Sequence, residues 1–139
     1  MPSIEWRRER RRILLPVQIL PPFPITDLSG IEATALLDTG SSVSGVATAL
    51  AERLRLNGLG KRPLLSVQGH GQVERYSFRV GLAPGISSVG APAFPFIFGE
   101  LIGIELSNTF EFDALLGMDV LAQCDFGMDR TGRCTLSFG

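Results

Sequence analysis

One acidic residue stands where its neighbours could make it a reagent. In Ala35-Leu36-Leu37-Asp38-Thr39-Gly40-Ser41-Ser42 an apolar run, read as a buried strand, delivers a single carboxylate into a turn of small hydroxyl residues and a glycine. An ionised carboxylate taken out of water is costly unless hydrogen-bond donors receive it, so an acid after Leu-Leu needs a local cradle. Thr39, Ser41 and the Gly40 N–H are the donors at hand. The triplet alone also fits an Asx-turn that closes a strand. Hydrolysis by carboxylates takes two of them in one site, one ionised to accept a proton from water and one protonated to polarise a carbonyl. Two unit charges about 3 Å apart at an effective dielectric near 20 repel by roughly 5 kcal/mol, so such a pair keeps one proton between its members and titrates as a unit. Asp-Thr-Gly occurs once in this chain, and no internal repeat supplies another. Asp27 precedes Leu-Ser-Gly and Asp125 precedes Phe-Gly, and neither follows a buried apolar pair into Thr-Gly. Carboxylate-pair chemistry therefore requires Asp38 of a second copy across a twofold axis.

Residues 34–42, together with Phe112-Asp113-Ala114-Leu115-Leu116-Gly117-Met118-Asp119-Val120-Leu121, resemble the two signature segments of the retropepsin-like aspartic proteases. Gly132-Arg133-Cys134-Thr135-Leu136-Ser137-Phe138 also looks like the terminal strand by which retroviral members dimerise, so the resemblance spans roughly residues 13–138. It implies an all-β protein: a retropepsin-like, closed or partly open β-barrel (the acid protease fold) with one or two short helices, forming half of a twofold homodimer. The implied activity is that of an aspartic endopeptidase acting on a peptide or protein substrate, without metal or cofactor. Carried over by position, Asp38 is catalytic and Thr39 holds the two turns together across the axis. Gly40 offers its carbonyl to substrate backbone, and Ser41 donates to an Asp38 oxygen, which favours the ionised form. A glycine-lined hairpin tip, Gly69-His70-Gly71, stands where the family has its flap, and titration of His70, the only histidine, would weakly shift closure. Cys134 falls where some retroviral enzymes carry an interface cysteine sensitive to oxidation. Two departures stand out: Ser42-Val43 replaces an acidic residue that grips substrate backbone, and Met118 replaces an interface arginine. The alternative reading is a catalytically inactive dimer of the same fold, acting as a peptide-binding or assembly module.

The rest of the chain sets bounds on these readings. Its 139 residues suffice for one domain with a thin core, and 45% are hydrophobic while only 19% are charged, a surface short of charge that suits coverage by another subunit. The net charge of −1 gives no global attraction to nucleic acid, and none is expected as a partner. Arg7, Arg8, Arg10, Arg11 and Arg12 supply five of thirteen cationic side chains. Residues 1–12 are read as a disordered basic arm and 13–139 as the domain; a nucleic-acid role for the arm would show as steep salt dependence. Ile13-Leu14-Leu15 after the arginines imitates a signal peptide, but Pro16, Gln18, Pro21 and Pro22 break it, and no run reaches a membrane-spanning length, so a cytoplasmic protein is expected. Cys124 and Cys134 form no metal motif and are read as small core residues, with Cys134 facing Asp125 and Phe126 across a hairpin.

Among the elements, strands are expected over Arg12–Leu20 and Ile31–Leu37, the latter covered on both faces because Leu36 and Leu37 point opposite ways. Val46, Ala47, Leu50 and Leu54 make a helical stripe with Thr48 as its cap and Asn57-Gly58 as its stop. Pro63–Val80 reads as the hairpin, Leu82–Gly90 as a loop, and Phe94, Phe96 and Phe98 as one face of a strand, either core or groove lining. Glu111–Leu116 reads as an apolar strand, Gly117 as a site of close backbone approach, and Met118–Gln123 as a short helix.

Overall fold

A computed structural model describes residues 2–66, 69–83 and 96–139. In chain order the strands are β1 (Ser3–Arg7), β2 (Leu14–Leu20), β3 (Ile31–Leu37), β4 (Gly45–Ala47), β5 (Gly58–Ser66), β6 (Gly69–Leu82), β7 (Phe96–Ile97), β8 (Leu101–Leu106), β9 (Ala114–Leu116), β10 (Asp125–Met128) and β11 (Arg133–Ser137). Of two short helices, α1 (Thr48–Arg53) follows the first signature segment and α2 (Met118–Leu121) ends the second.

The larger sheet runs β2-β3-β9-β4-β8-β6-β5, and an additional pairing of β2 with β6 closes its first six strands into a ring. Along β2, Leu15, Val17 and Ile19 are buried while Pro16 is exposed, the period-two pattern of a strand with one face inward. Pro16 lacks an N–H, and it sits where only β3 flanks β2, since β6 joins from Gln18 onward, so no ladder bond is lost. Leu15, Ile19, Val46, Phe78, Val80 and Leu116 have no exposed surface and belong to one core cluster. Phe98 and Phe138 join that core, with Phe96 packed against it in edge contact with Phe98 at 5.0 Å. The aromatic strand thus faces the core rather than a groove, as far as Phe96 and Phe98 show it; Phe94 lies outside the described residues. Closure of the ring and the near absence of helix make this the all-β barrel expected.

Helix α1 begins differently from expectation. Thr48 is its first helical residue, and the cap position is Ala47, whose side chain offers nothing. The side-chain oxygen of Asn108, Oδ1, instead accepts the Ala49 N–H at 2.9 Å, and the Thr48 hydroxyl donates to the Leu106 backbone carbonyl. The helix stops at Arg53, with Arg55 in the left-handed conformation (φ 54°), two residues before Asn57-Gly58.

The expected hairpin is present as β5 and β6, with Leu64 opposite Gly71, Leu65 opposite His70 and Ser66 opposite Gly69. This register puts Gly69, His70 and Gly71 in β6, and the turn at 67–68 lies outside the described residues.

A smaller sheet, β1-β11-β10, gathers the two ends of the chain. Of the segment 1–12 expected as a loose arm, residues 2–12 are described and are held in place: Ser3–Arg7 pairs with β11, Glu9 and Arg12 bridge a tight turn, and Arg12 contacts Glu111 at 2.7 Å. Backbone pairing with a central strand outweighs the repulsion within the arginine run, because Arg7 donates to the Thr131 carbonyl and Arg12 finds a carboxylate. The hairpin register sets Cys134 opposite Met128 and, on its other side, opposite Trp6, not opposite Asp125 and Phe126. Cys134 is fully buried, and burial pushes its thiol pKa up, so it presents no surface for oxidation.

Candidate active site

Asp38 stands at the end of β3, beside β9, and the two strands run parallel with Leu37 level with Leu116. The Asp38 N–H donates to the Leu116 carbonyl at 3.0 Å, so the first signature turn hangs directly from the second signature strand. One carboxylate oxygen, Oδ1, accepts the Gly40 N–H at 2.9 Å, and the Ser41 N–H closes the turn on the Asp38 carbonyl. Asp38 is half-buried, while Thr39, Gly40 and Ser42 are exposed. The acid expected to be buried thus opens to solvent on a single chain. Ser41 does not cradle it: its hydroxyl donates to the Val43 carbonyl at 2.7 Å. Local geometry explains the difference, since a hydroxyl three residues after the acid reaches the backbone that follows it more readily than the carboxylate behind.

Beneath the turn, backbone meets backbone. A Cβ on Gly117 would overlap the Val43 carbonyl group and sit 2.8 Å from the Ser41 carbonyl oxygen, which confirms close approach at this glycine. The Met118 N–H donates to that Ser41 carbonyl at 2.7 Å, joining the start of α2 to the turn.

Two residues not singled out by sequence complete this support. Ser44 is fully buried; its hydroxyl donates to Asp119 Oδ1 at 2.6 Å and accepts the Gly117 N–H at 3.0 Å. The Ser44 N–H donates to Asp119 Oδ2 at 2.9 Å, and the Val120 N–H donates to Oδ1. Asp119 lies in the first turn of α2, where an acid is favoured by the open amides of the helix start. That preference is the sole hint in the sequence; the partner 75 positions upstream is a product of the fold.

The remaining expected site residues fall elsewhere. Gly69, His70 and Gly71 lie in β6 near the far end of the long hairpin. Met118 is exposed at the head of α2, where an interface arginine had been missed. Among the described residues no second carboxylate is hydrogen-bonded to the turn, and no cluster of three acidic, histidine or cysteine side chains is placed to hold a metal.

The barrel and its glycine-supported acid turn define the retropepsin-like class of fold. A solved structure of this kind, a retropepsin-like aspartic protease from Rickettsia conorii, superposes with a TM-score of 0.63 at 17% identity, covering 98% of this chain and 90% of that one. A family model described as aspartyl protease matches residues 26–120, a span that holds the first signature segment and all but the last residue of the second, and the chain belongs to that family. No curated protein matches it.

Proposed function

We propose that the protein is an aspartic endopeptidase that works as a homodimer. The observation that carries this reading is the single, solvent-open carboxylate of Asp38, fixed by the Gly40 N–H on a turn that two signature segments hold rigid. Among the described residues no acid of the same chain is hydrogen-bonded to this turn, and the exposure of Thr39 and Gly40 leaves the surface around it open to a second turn. In the dimer two Asp38 carboxyls share one proton. The ionised one takes a proton from a water molecule as its oxygen attacks the peptide carbonyl carbon, while the protonated one donates to the carbonyl oxygen. The carboxyl that took the water's proton then passes it to the nitrogen while the other takes a proton back from a hydroxyl of the tetrahedral diol, so that the C–N bond breaks to leave a carboxyl and an amine and the pair returns to its starting protonation. Thr39 of each chain bonds across the axis, and the hairpin of β5 and β6, with Gly69, His70 and Gly71 near its end, closes as a flap whose backbone receives the extended peptide.

The test is cleavage of a denatured protein mixture between about pH 4 and 7 by wild-type chain and by Asp38→Asn, with circular dichroism to establish equal folding. Cleavage is expected for the wild type alone, with the variant at least about a hundredfold slower. Equal cleavage by both would contradict the reading. Absence of cleavage from a wild-type dimer would leave the peptide-binding module as the better account.

A further inference from the structure

The terminal strand β11, which resembles the family's dimerising strand, has no edge to offer, because β1 occupies one side of it and β10 the other. Among the described residues the free edges of this sheet are β1 and β10, and they differ. Hydrogen bonding in an antiparallel ladder alternates, so residues paired to one neighbour turn their next N–H and C=O the other way. The Asp129 N–H bonds to the Arg133 carbonyl at 3.0 Å, and with the uninterrupted register this makes Gly127 with Thr135, and Asp125 with Ser137, the bonded pairs. The backbone groups of Phe126 and Met128 therefore point outward, away from β11. The same reasoning from the Arg8 N–H, bonded to the Gly132 carbonyl at 2.8 Å, turns those of Ser3, Glu5 and Arg7 outward on β1.

Side chains separate the two edges further. Phe126 lies across from Leu136, and Met128 across from Cys134, so both share the face that carries Ile4, Trp6, Cys134 and Leu136. Trp6 and Phe126 confirm this, with ring centroids 6.5 Å apart. That apolar face is buried at Cys134 and Leu136 but runs out uncovered at β10, where Phe126 is 36% and Met128 50% exposed. Edge strands are usually guarded by lysine, proline, inward charge or a bulge. Glu5 and Arg7 charge the edge of β1; at the β10 edge the tripeptide Phe126-Gly127-Met128 is uncharged, and the only charges are the carboxylates of Asp125 and Asp129 at its two ends.

The geometry points to β10 as the strand that a second copy of this chain pairs with, antiparallel, about a twofold axis at Gly127. This inference rests on the homodimer proposed above and assigns its interface. Such pairing is self-complementary in its backbone: Phe126 of each copy exchanges both hydrogen bonds with Met128 of the other, while Asp125 comes opposite Asp129 of the other copy, a like-charge pair that opposes the association and limits the pairing to the central tripeptide. The central glycines form the non-bonded pair, where backbones approach most closely, and a Cβ at Gly127 has nothing within 4 Å to support or obstruct it. The exposed phenyl and thioether groups then continue one apolar face across a six-stranded sheet. Only α2 and a three-residue link separate β10 from Gly117, which is packed under the Asp38 turn, so the same rigid unit presents both the edge and the acid.

The experiment is sedimentation equilibrium of wild type and of Met128→Pro, with amide hydrogen exchange of the wild type at low and high protein concentration. Proline at 128 removes the outward N–H and the exposed thioether but no backbone hydrogen bond to β11, so folding by circular dichroism is expected to persist while dimerisation weakens by at least about tenfold. In the wild type, exchange at Phe126 and Met128 is expected to slow as concentration rises, with Gly127 unaffected. A dimer whose Phe126 and Met128 amides exchange at the same rate at both concentrations, an undiminished Met128→Pro dimer, or a wild type monomeric throughout would each overturn the assignment. The exchange arm decides the matter even where the variant fails to fold. None of these readouts uses cleavage, so a dimer paired through β10 that cuts no peptide would sink the protease reading and leave this interface standing.

Discussion

Ser44 has no exposed surface, and its hydroxyl both donates to the Asp119 carboxylate and accepts the Gly117 N–H. Removing it leaves a buried amide without an acceptor and a carboxylate short of a donor. Ser44→Ala is therefore expected to lower stability by about 2 kcal/mol in urea unfolding, whereas an unchanged midpoint would mean that water takes the place of the hydroxyl. Asp38 was legible because its strand, its triplet and its following small residues act locally. Ser44 and Asp119 were not, because a buried serine looks like any loop serine until the fold brings a helix start against it. Ser41 misled for a related reason: residue type offered a donor to the acid, but short-range geometry turned the hydroxyl to Val43.

Elements were legible where burial sets their pattern. β3 spans Ile31–Leu37 as expected, but only one of its faces is buried, that of Ala33, Ala35 and Leu37; Glu32 is exposed and Thr34 and Leu36 are half-buried, so the expected cover on both faces is not found on the single chain. Starts and stops were less readable where a distant residue supplies the cap, as Asn108 does for α1. The loop after β2 is a stronger case. Arg79 of β6 is 4% exposed, and its guanidinium donates to the carbonyls of Pro21, Pro24, Ile25 and Asp27, so one side chain replaces the secondary structure that the prolines forbid. Replacing it with methionine keeps the buried stem but frees four acceptors. Arg79→Met is expected to cost about 2 kcal/mol or more in urea unfolding and to make the amides of residues 25–29 exchange faster. Protection unchanged from wild type would contradict this role.

At the scale of the molecule, a six-strand ring carries the acid turn and a three-strand sheet collects both ends of the chain. The barrel could be expected from alternating strands and the signature spacing. The ordering of the N-terminal residues could not, since composition reported only their charge, and pairing with β11 is a backbone property that charge does not reveal. The account as a whole depends on two Asp38 carboxylates in one site. The measurement that tests this most directly is cleavage at fixed total protein while folded Asp38→Asn chain replaces wild type, at a concentration where the dimer is saturated and exchange of subunits is complete. Activity is expected to fall as the square of the wild-type fraction, to about a quarter at equal mixing, because a mixed dimer holds only one competent acid. A linear fall, to about half at equal mixing, would mean that each chain acts with its own Asp38 alone and would contradict the shared site.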